Sequence, residues 1–264
     1  MNEGCKTLPV YRRRKNGLHD DADVVAIEEP LEIRIAGKPV CVTMRTPGHD
    51  CDLTLGFLFT EGVISGANLP KVRQDGRNRV EVTAAKTVAA AGARRLQSRF
   101  FVSSSCGLCG RTTAKQIRRR LGAINTDQTL RIAILEGLTA KLFSRQETFR
   151  ITGGLHAAGL FDVEGNMLVS REDVGRHNAV DKAIGAWIRE PVPDRQPVGL
   201  LVSGRASFEI VQKALAAKLP FVAAVSAPSS LAVELAREAE ITLIAFLRGK
   251  TFNVYSRADR VRKK

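Results

Sequence analysis

Cys106 and Cys109 lie in the stretch Ser103-Ser104-Ser105-Cys106-Gly107-Leu108-Cys109-Gly110, where two thiols are surrounded by small residues. The apolar run Phe100-Phe101-Val102 before it predicts a short buried strand, and the pattern over 112–121 predicts a helix. The thiols therefore belong to a turn between a strand and a helix. Gly107 and Gly110 strip away side-chain cover and let the backbone take positive φ. A thiol near a helix N-terminus, with Arg99, Arg111 and Lys115 close in sequence, has a lowered pKa, and the thiolate is the nucleophilic form. The loop is built to expose a reactive sulfur, as in a catalytic or carrier thiol. Three other readings remain open on residue types alone. Cys-x-x-Cys is half of a zinc knuckle, which needs two more ligands. Cys41, His49 and Cys51 are available but irregularly spaced. A thioredoxin-like dithiol lacks its upstream βαβ frame. Two merely buried cysteines would call for apolar flanks rather than Ser and Gly.

A second constellation is built for anions. Ser203-Gly204-Arg205-Ala206-Ser207 and Ser226-Ala227-Pro228-Ser229-Ser230 each follow an apolar strand pattern and open a helix. Arg248-Gly249-Lys250 follows a third such strand. Ligands of open α/β sheets bind at the carboxyl ends of the strands, and helix N-termini suit phosphate. Ordinary N-caps would explain the serines by themselves. Three convergent loops with Arg205, Arg248 and Lys250 favour a phosphate or nucleotide site. Neither Walker A nor Gly-x-Gly-x-x-Gly occurs, which excludes a standard ATPase or Rossmann dehydrogenase. The polar run from Asp173 through Arg176, His177 and Asn178 to Lys182 starts another helix. It either contacts ligand or simply caps that helix, with Lys182 pairing locally.

Regular elements must hold these loops. Residues 1–22 read as a flexible basic arm around Arg12-Arg13-Arg14-Lys15. Leu31, Ile33 and Ile35 alternate with charged residues as a half-buried strand, and Gly37-Lys38-Pro39 turns it into a partner over 40–44. A helix over 53–62 and a strand over 79–83 follow, with no clear assignment over 84–93. Leu130, Ile134, Leu138 and Leu142 make a helical stripe, with Thr126 or Asp127 as its cap. A hairpin spans 157–170 and a helix 174–189; Pro191, Pro193 and Pro197 form a linker. Apolar strands over 198–202, 221–225 and 241–246 then alternate with helices over 207–218 and 229–239, the pattern of a parallel sheet covered on both faces. Residues 252–255 add an edge strand, and the basic tail from 257 is expected to fray. The expected fold class is α/β in two domains: an α+β domain over 23–126 that ends in the Cys-x-x-Cys loop and its helix, and an α/β domain over 127–264 with a mixed, largely parallel sheet.

The chain has 264 residues, 44% of them hydrophobic, which is ordinary for a globular protein. No run of about 18 apolar residues suggests a membrane span, and residues 1–23 lack the apolar core of a secretory signal. Five cysteines without framework spacing favour reduced thiols and a cytoplasmic setting. The net charge of +14 calls for a polyanionic partner. Nucleic acid is disfavoured: there are 2 Tyr and 1 Trp for stacking and no recognition motif.

Taken together, these segments resemble the formate dehydrogenase accessory sulfur carrier family (FdhD/NarQ type). The matching stretches run in order from about residue 24: Glu29-Pro30-Leu31, Pro47-Gly48 through Gly56-Phe57-Leu58, the Cys106 loop, Thr152-Gly153-Gly154-Leu155-His156-Ala157-Ala158, Asp173 to Asn178, Ser203-Gly204-Arg205, Ser226-Ala227-Pro228-Ser229 and Phe246-Leu247-Arg248-Gly249. The resemblance implies a mechanism. A cysteine desulfurase hands sulfane sulfur to Cys106, with Cys109 as its partner. The persulfide sulfur then passes to molybdenum in a bound bis-molybdopterin guanine dinucleotide, for insertion into formate dehydrogenase. It implies that Phe246, Leu247, Arg248, Gly249, Lys250 and Thr251 contact the guanine dinucleotide, in company with Ser203, Gly204, Arg205, Ser226, Arg176 and His177. GDP would be a partial mimic. It further implies a cytidine-deaminase-like second domain, a homodimer and no resident metal. The rival enzyme class is a zinc-dependent nucleobase deaminase, which needs a Glu two residues after its His and then Pro-Cys-x-x-Cys. Here Ala157-Ala158 follow His156, and the Cys-x-x-Cys precedes it.

Overall fold

The segment expected as a flexible arm is a paired ribbon. A computed structural model describes residues 3–65, 69–83 and 114–263. In it β1 (Cys5–Arg14) and β2 (Gly17–Ala26) form an antiparallel hairpin with Arg14 opposite Gly17. Lys15-Asn16 supplies the turn, and Gly17, which opens β2, takes φ +129°. The basic run is offset across the strands. Asp21 accepts from Arg12 Nε at 2.7 Å and Arg14 Nη2 at 3.1 Å. Counting charge along the sequence overlooks such cross-strand pairs.

The expected hairpin follows as β3 (Glu29–Ile35) and β4 (Lys38–Arg45). With β5 (Lys71–Gln74) and β6 (Arg79–Thr83) it makes a four-stranded sheet of order β4-β3-β6-β5. β5 is an addition to the sequence reading, because four residues with one apolar side chain carry little periodicity. Helix α1 (Asp50–Thr60) covers this sheet with Leu53 and Leu58 against Leu31, Ile33, Val80 and Val82. The strand expected over 100–102, the thiol loop and the Ala-rich stretch lie outside the described residues. The helix that follows them is present as α2 (Ala114–Leu121).

Thr126 and Asp127 do not cap the next helix. Thr126 Oγ1 accepts from Gln128 N in a local turn instead, and the chain first forms β7 (Leu130–Arg131) before α3 (Ile132–Phe143). After α4 (Glu147–Thr152) come β8 (His156–Phe161), β9 (Met167–Asp173) and α5 (Arg176–Arg189). Then β10 (Gly199–Val202), α6 (Phe208–Ala216), β11 (Phe221–Ala224), α7 (Ser230–Glu238), β12 (Thr242–Arg248) and β13 (Thr251–Ser256) alternate as expected. The sheet order is β13-β12-β11-β10-β8-β9. Its parallel part is confined to the central strands β10, β11 and β12; the flanking pairs are antiparallel. One face carries Leu160, Leu200, Val222 and Leu243 against α2, α5, α6 and α7. The other carries Phe161, Leu201, Phe221 and Ile244 against α3. This alternation along each strand is the period-2 geometry of a sheet buried on both sides. Helix α2 falls within 23–126 in sequence, yet Ala114 and Ile117 pack into this second core. The basic tail does not fray: β14 (Val261–Arg262) pairs with β7, and Arg260 is buried with its guanidinium on the Ile124 and Glu240 carbonyls.

The two sheets are joined where α1 crosses α5. A Cβ on Gly56 would lie 1.9 Å from the Asp181 carbonyl oxygen, and one on Gly185 would lie 1.8 Å from that of Asp52. Only glycines permit the two backbones to approach so closely. Beside the crossing, buried Asp181 accepts from Lys213 Nζ at 2.8 and 2.9 Å and from Thr60 Oγ1 at 2.9 Å. No helix among the described residues is long and apolar enough to cross a membrane.

Candidate functional site

Two of the three loops expected to converge, those at Ser203 and Ser226, are joined at the carboxyl edge of β10 and β11, and Phe246 of β12 joins them. Ser226 N donates to the Gly204 carbonyl at 3.4 Å, and Phe246 N donates to the Ser226 carbonyl at 3.2 Å. Ser203 N donates to the Ala157 carbonyl at 2.9 Å, while Ala157 N donates back to Ser203 Oγ at 2.9 Å. Because β8 runs antiparallel to β10, its first residue, His156, arrives at this same edge. Gly204 lies against it: a Cβ there would sit 3.3 Å from His156 Nδ1 and 4.0 Å from Arg176 Cβ.

The start of α5 divides its labour. Asp173 is fully buried and accepts from Gly175 N, Asn178 Nδ2, Thr46 N and Lys182 Nζ. Asn178 Nδ2 also donates to the Met44 carbonyl at 2.7 Å, and Lys182 Nζ to the Thr46 carbonyl at 2.8 Å. These three side chains tie the helix to the end of β4, so Lys182 reaches well beyond a local pair. Arg176 and His177 turn instead toward His156 and Arg205. Burial first, and then the Arg176 guanidinium, lower the pKa of His156; His177 and Arg205 act in the same direction. Arg176 Nε is buried without a hydrogen-bond partner among the described residues. His177 Nε2 lies 3.4 Å from Ser207 Oγ and 3.8 Å from Glu209 Oε2. The nearness of His177 holds the Glu209 carboxyl down at about 2.

The remaining expected residues separate. Arg248 and Thr251 close the β12–β13 hairpin around Gly249 and Lys250, with Gly249 at φ +57°. All four are exposed at the same sheet edge, and among the described residues no hydrogen bond links them to the other two loops. Phe246 sits on a bulge at φ +53° and is 36% exposed. Leu247 corrects the sequence expectation: it is fully buried in the core on the α3 side and offers no wall to a ligand. The β-alternation sends neighbours to opposite sides, so one of the two had to point inward. Ser229 is an ordinary N-cap, accepting from Ala232 N at 3.2 Å. Cys106 and Cys109 lie outside the described residues. Cys41 is buried in the first sheet, and desolvation pushes its thiol up to about 12. Burial also raises Cys51. Among the described residues no three His, Cys, Asp or Glu side chains converge as a metal site. His156 and Glu209 are additions to the set of expected residues. A His between Gly-Gly-Leu and an apolar strand was the available signal for the first.

Residues 26–262 match the FdhD/NarQ family. The chain is 48% identical to a protein of Mycolicibacterium paratuberculosis named sulfur carrier protein FdhD, over 90% of this chain and 92% of that one. A protein of the same name from Mycobacterium tuberculosis is 49% identical over the same shares. Another, from Streptomyces coelicolor, is 44% identical over 99% of this chain and 97% of its own. The fold matches the crystal structure of a protein provisionally described as a formate dehydrogenase accessory protein, from Desulfotalea psychrophila. The TM-score is 0.79 at 23% identity, over 98% and 99% of the two chains. On the family match and on relatives close to half identical along nearly their whole length, this chain belongs to the FdhD/NarQ family.

Proposed function

We propose that the chain is a sulfur carrier serving formate dehydrogenase, with Cys106 as the sulfur-bearing residue. In this reading the Cys106 thiolate attacks the outer sulfur of a cysteine desulfurase persulfide. The donor's S–S bond breaks, its cysteine leaves as thiolate, and Cys106 keeps the sulfane sulfur with no net oxidation. Cys109 is the adjacent thiol that can resolve or hold the group. The cargo is bis-molybdopterin guanine dinucleotide, which receives the sulfur at its metal. The observation that carries the cargo assignment is the cationic edge formed by Arg176, His177 and Arg205 around His156 and Gly204. Arg176 Nε, buried with no hydrogen-bond partner among the described residues, is a donor suited to a phosphate oxygen. Arginine forks grip phosphate through paired hydrogen bonds. Two of the described cysteines offer a contrast, since burial raises the pKa of both Cys41 and Cys51 and so disfavours their thiolates.

Incubation with a cysteine desulfurase and cysteine should add one sulfur to the intact mass, and Cys106→Ala should abolish it. Persulfide retained in Cys106→Ala but lost in Cys109→Ala would reverse the roles. GDP titrated by calorimetry at fixed salt should bind Cys106→Ala normally and Arg205→Ala at least about tenfold more weakly, as expected for a charge-assisted pair. Unchanged affinity in both Arg205→Ala and Arg248→Ala would remove the nucleotide from this edge.

A further inference from the structure

The β1–β2 ribbon stands ahead of the family match, which begins at residue 26. Ile27 N closes its base by donating to the Gly4 carbonyl at 2.9 Å. The base packs on the body at α4, where a Cβ on Gly154 would lie 3.4 Å from Ala26 Cβ. Gly154 is two residues from His156, so the ribbon rises beside the cationic edge. Beyond its base it leaves the body, with eight of the ten β1 residues exposed. Cross-strand pairing and period-2 alternation give it two unlike faces. Arg12, Arg14, Asp21 and Asp23 share one, and there the charges satisfy each other. Pro9, Tyr11, Arg13, Leu18, Asp20 and Ala22 share the other. Tyr11 and Leu18 are diagonal neighbours on it, 74% and 67% exposed. Among the described residues no carboxylate pairs with Arg13, or with Lys15 at the turn.

We infer that this second face is a docking surface for an acidic protein, the apoenzyme that takes up the cargo from the adjoining edge. Tyr and Arg are the residue types that anchor protein interfaces. Two strands about 4.8 Å apart and about 33 Å long offer a few hundred Å², less than the ~800 Å² per partner of a stable complex. The face is too small to hold a partner alone, and it fits one that also touches the edge. The net charge of +14 and the unpaired Arg13 and Lys15 select an acidic surface. A second copy carries the same positive excess. Two ribbons edge to edge would also set the basic run of β1, or the aspartates of β2, against themselves. Lipid headgroups and nucleic acid present phosphate, which Asp20 opposite Tyr11 repels, whereas a protein surface can offer that carboxylate a donor. This inference rests on the sulfur-carrier proposal, which supplies the partner, and it adds the surface that holds it.

The test uses the full chain, the double variant Tyr11→Ser/Leu18→Ser, the variant Arg13→Glu, and the cofactor-free formate dehydrogenase of the same genome as probe. Calorimetry at fixed salt should show the double variant binding that apoenzyme at least about tenfold more weakly, and Arg13→Glu weakened most at low salt. The substituted side chains are exposed, so GDP affinity and persulfide loading should stay within about twofold of wild type. Apoenzyme affinity unchanged within about twofold in both variants, or no binding by the wild type, overturns the inference. Loss of GDP affinity in the variants overturns it too, since the ribbon would then serve the cargo site itself. So does binding to phosphatidylglycerol vesicles or to a DNA duplex that depends on Tyr11 and Leu18, or a dimer in sedimentation that the double variant dissolves. Persulfide loading separates the two claims. Loading without ribbon-dependent docking leaves the carrier reading standing and removes the docking surface; ribbon-dependent docking without loading does the reverse.

Discussion

Glu209 is a small part of the site with a measurable consequence. Its carboxyl is held at about 2, against an ordinary 4.5, chiefly by the nearby His177. A carboxyl depressed in the folded state stabilises it above the unfolded pKa, and that contribution is lost as pH falls toward the folded value. The window is therefore from 4.5 down to about 2. Glu209→Gln should flatten the loss of unfolding free energy across that window, measured by urea denaturation; an acid limb identical to wild type would show that the pair carries no linkage. None of this was legible in the sequence, because Glu209 is the second residue of its helix and His177 lies 32 residues earlier. Arg176, His177 and Arg205 were legible as basic residues at helix starts. Leu247 was misjudged because a loop motif does not say which of two neighbours faces the core.

At the scale of elements, the joint between the two sheets is a contact of glycines. Gly185→Ala would place a carbon 1.8 Å from the Asp52 carbonyl oxygen, and neither backbone has room to yield. Overpacking typically costs about 1–3 kcal/mol, and a clash between two backbones belongs at or beyond the upper end. The expected result is a fall in stability of about 3 kcal/mol or more, with α1 and the first sheet loosened from α5. Chemical denaturation measures it, and a change below about 1 kcal/mol would mean that the helices separate freely. The helices and strands themselves were legible, since apolar alternation and helical stripes are local. The crossing of α1 over α5 was not, because Gly56 and Gly185 are unremarkable in their own segments. The same limit hid the β7–β14 pair, whose paired residues are 131 positions apart.

Across the whole molecule, the net charge of +14 survives the pairing seen in the hairpin and the tail. Helix α2 presents Arg118 and Arg119 outward, only a few residues beyond Cys106 and Cys109 in sequence. Exposed charge of one sign speeds encounter with an acidic partner and is screened by salt over a Debye length of about 10 Å at 0.1 M. Persulfide loading of Cys106 under encounter-limited conditions should slow about tenfold between ~50 and ~500 mM salt. Arg119→Glu should lower the low-salt rate and leave the saturated rate alone. A rate indifferent to salt would show that the charge serves another purpose.

The backbone bonds running from Phe246 to Ser226 to Gly204 bear on how the edge behaves in time. Amides held in this way exchange with solvent slowly even in the empty protein. A ligand arriving there meets loops already ordered, so little chain entropy remains to be lost on binding. Hydrogen–deuterium exchange should therefore report cargo at this edge mainly through the side-chain contacts it shields, with the amides of Ser226 and Phe246 protected equally before and after.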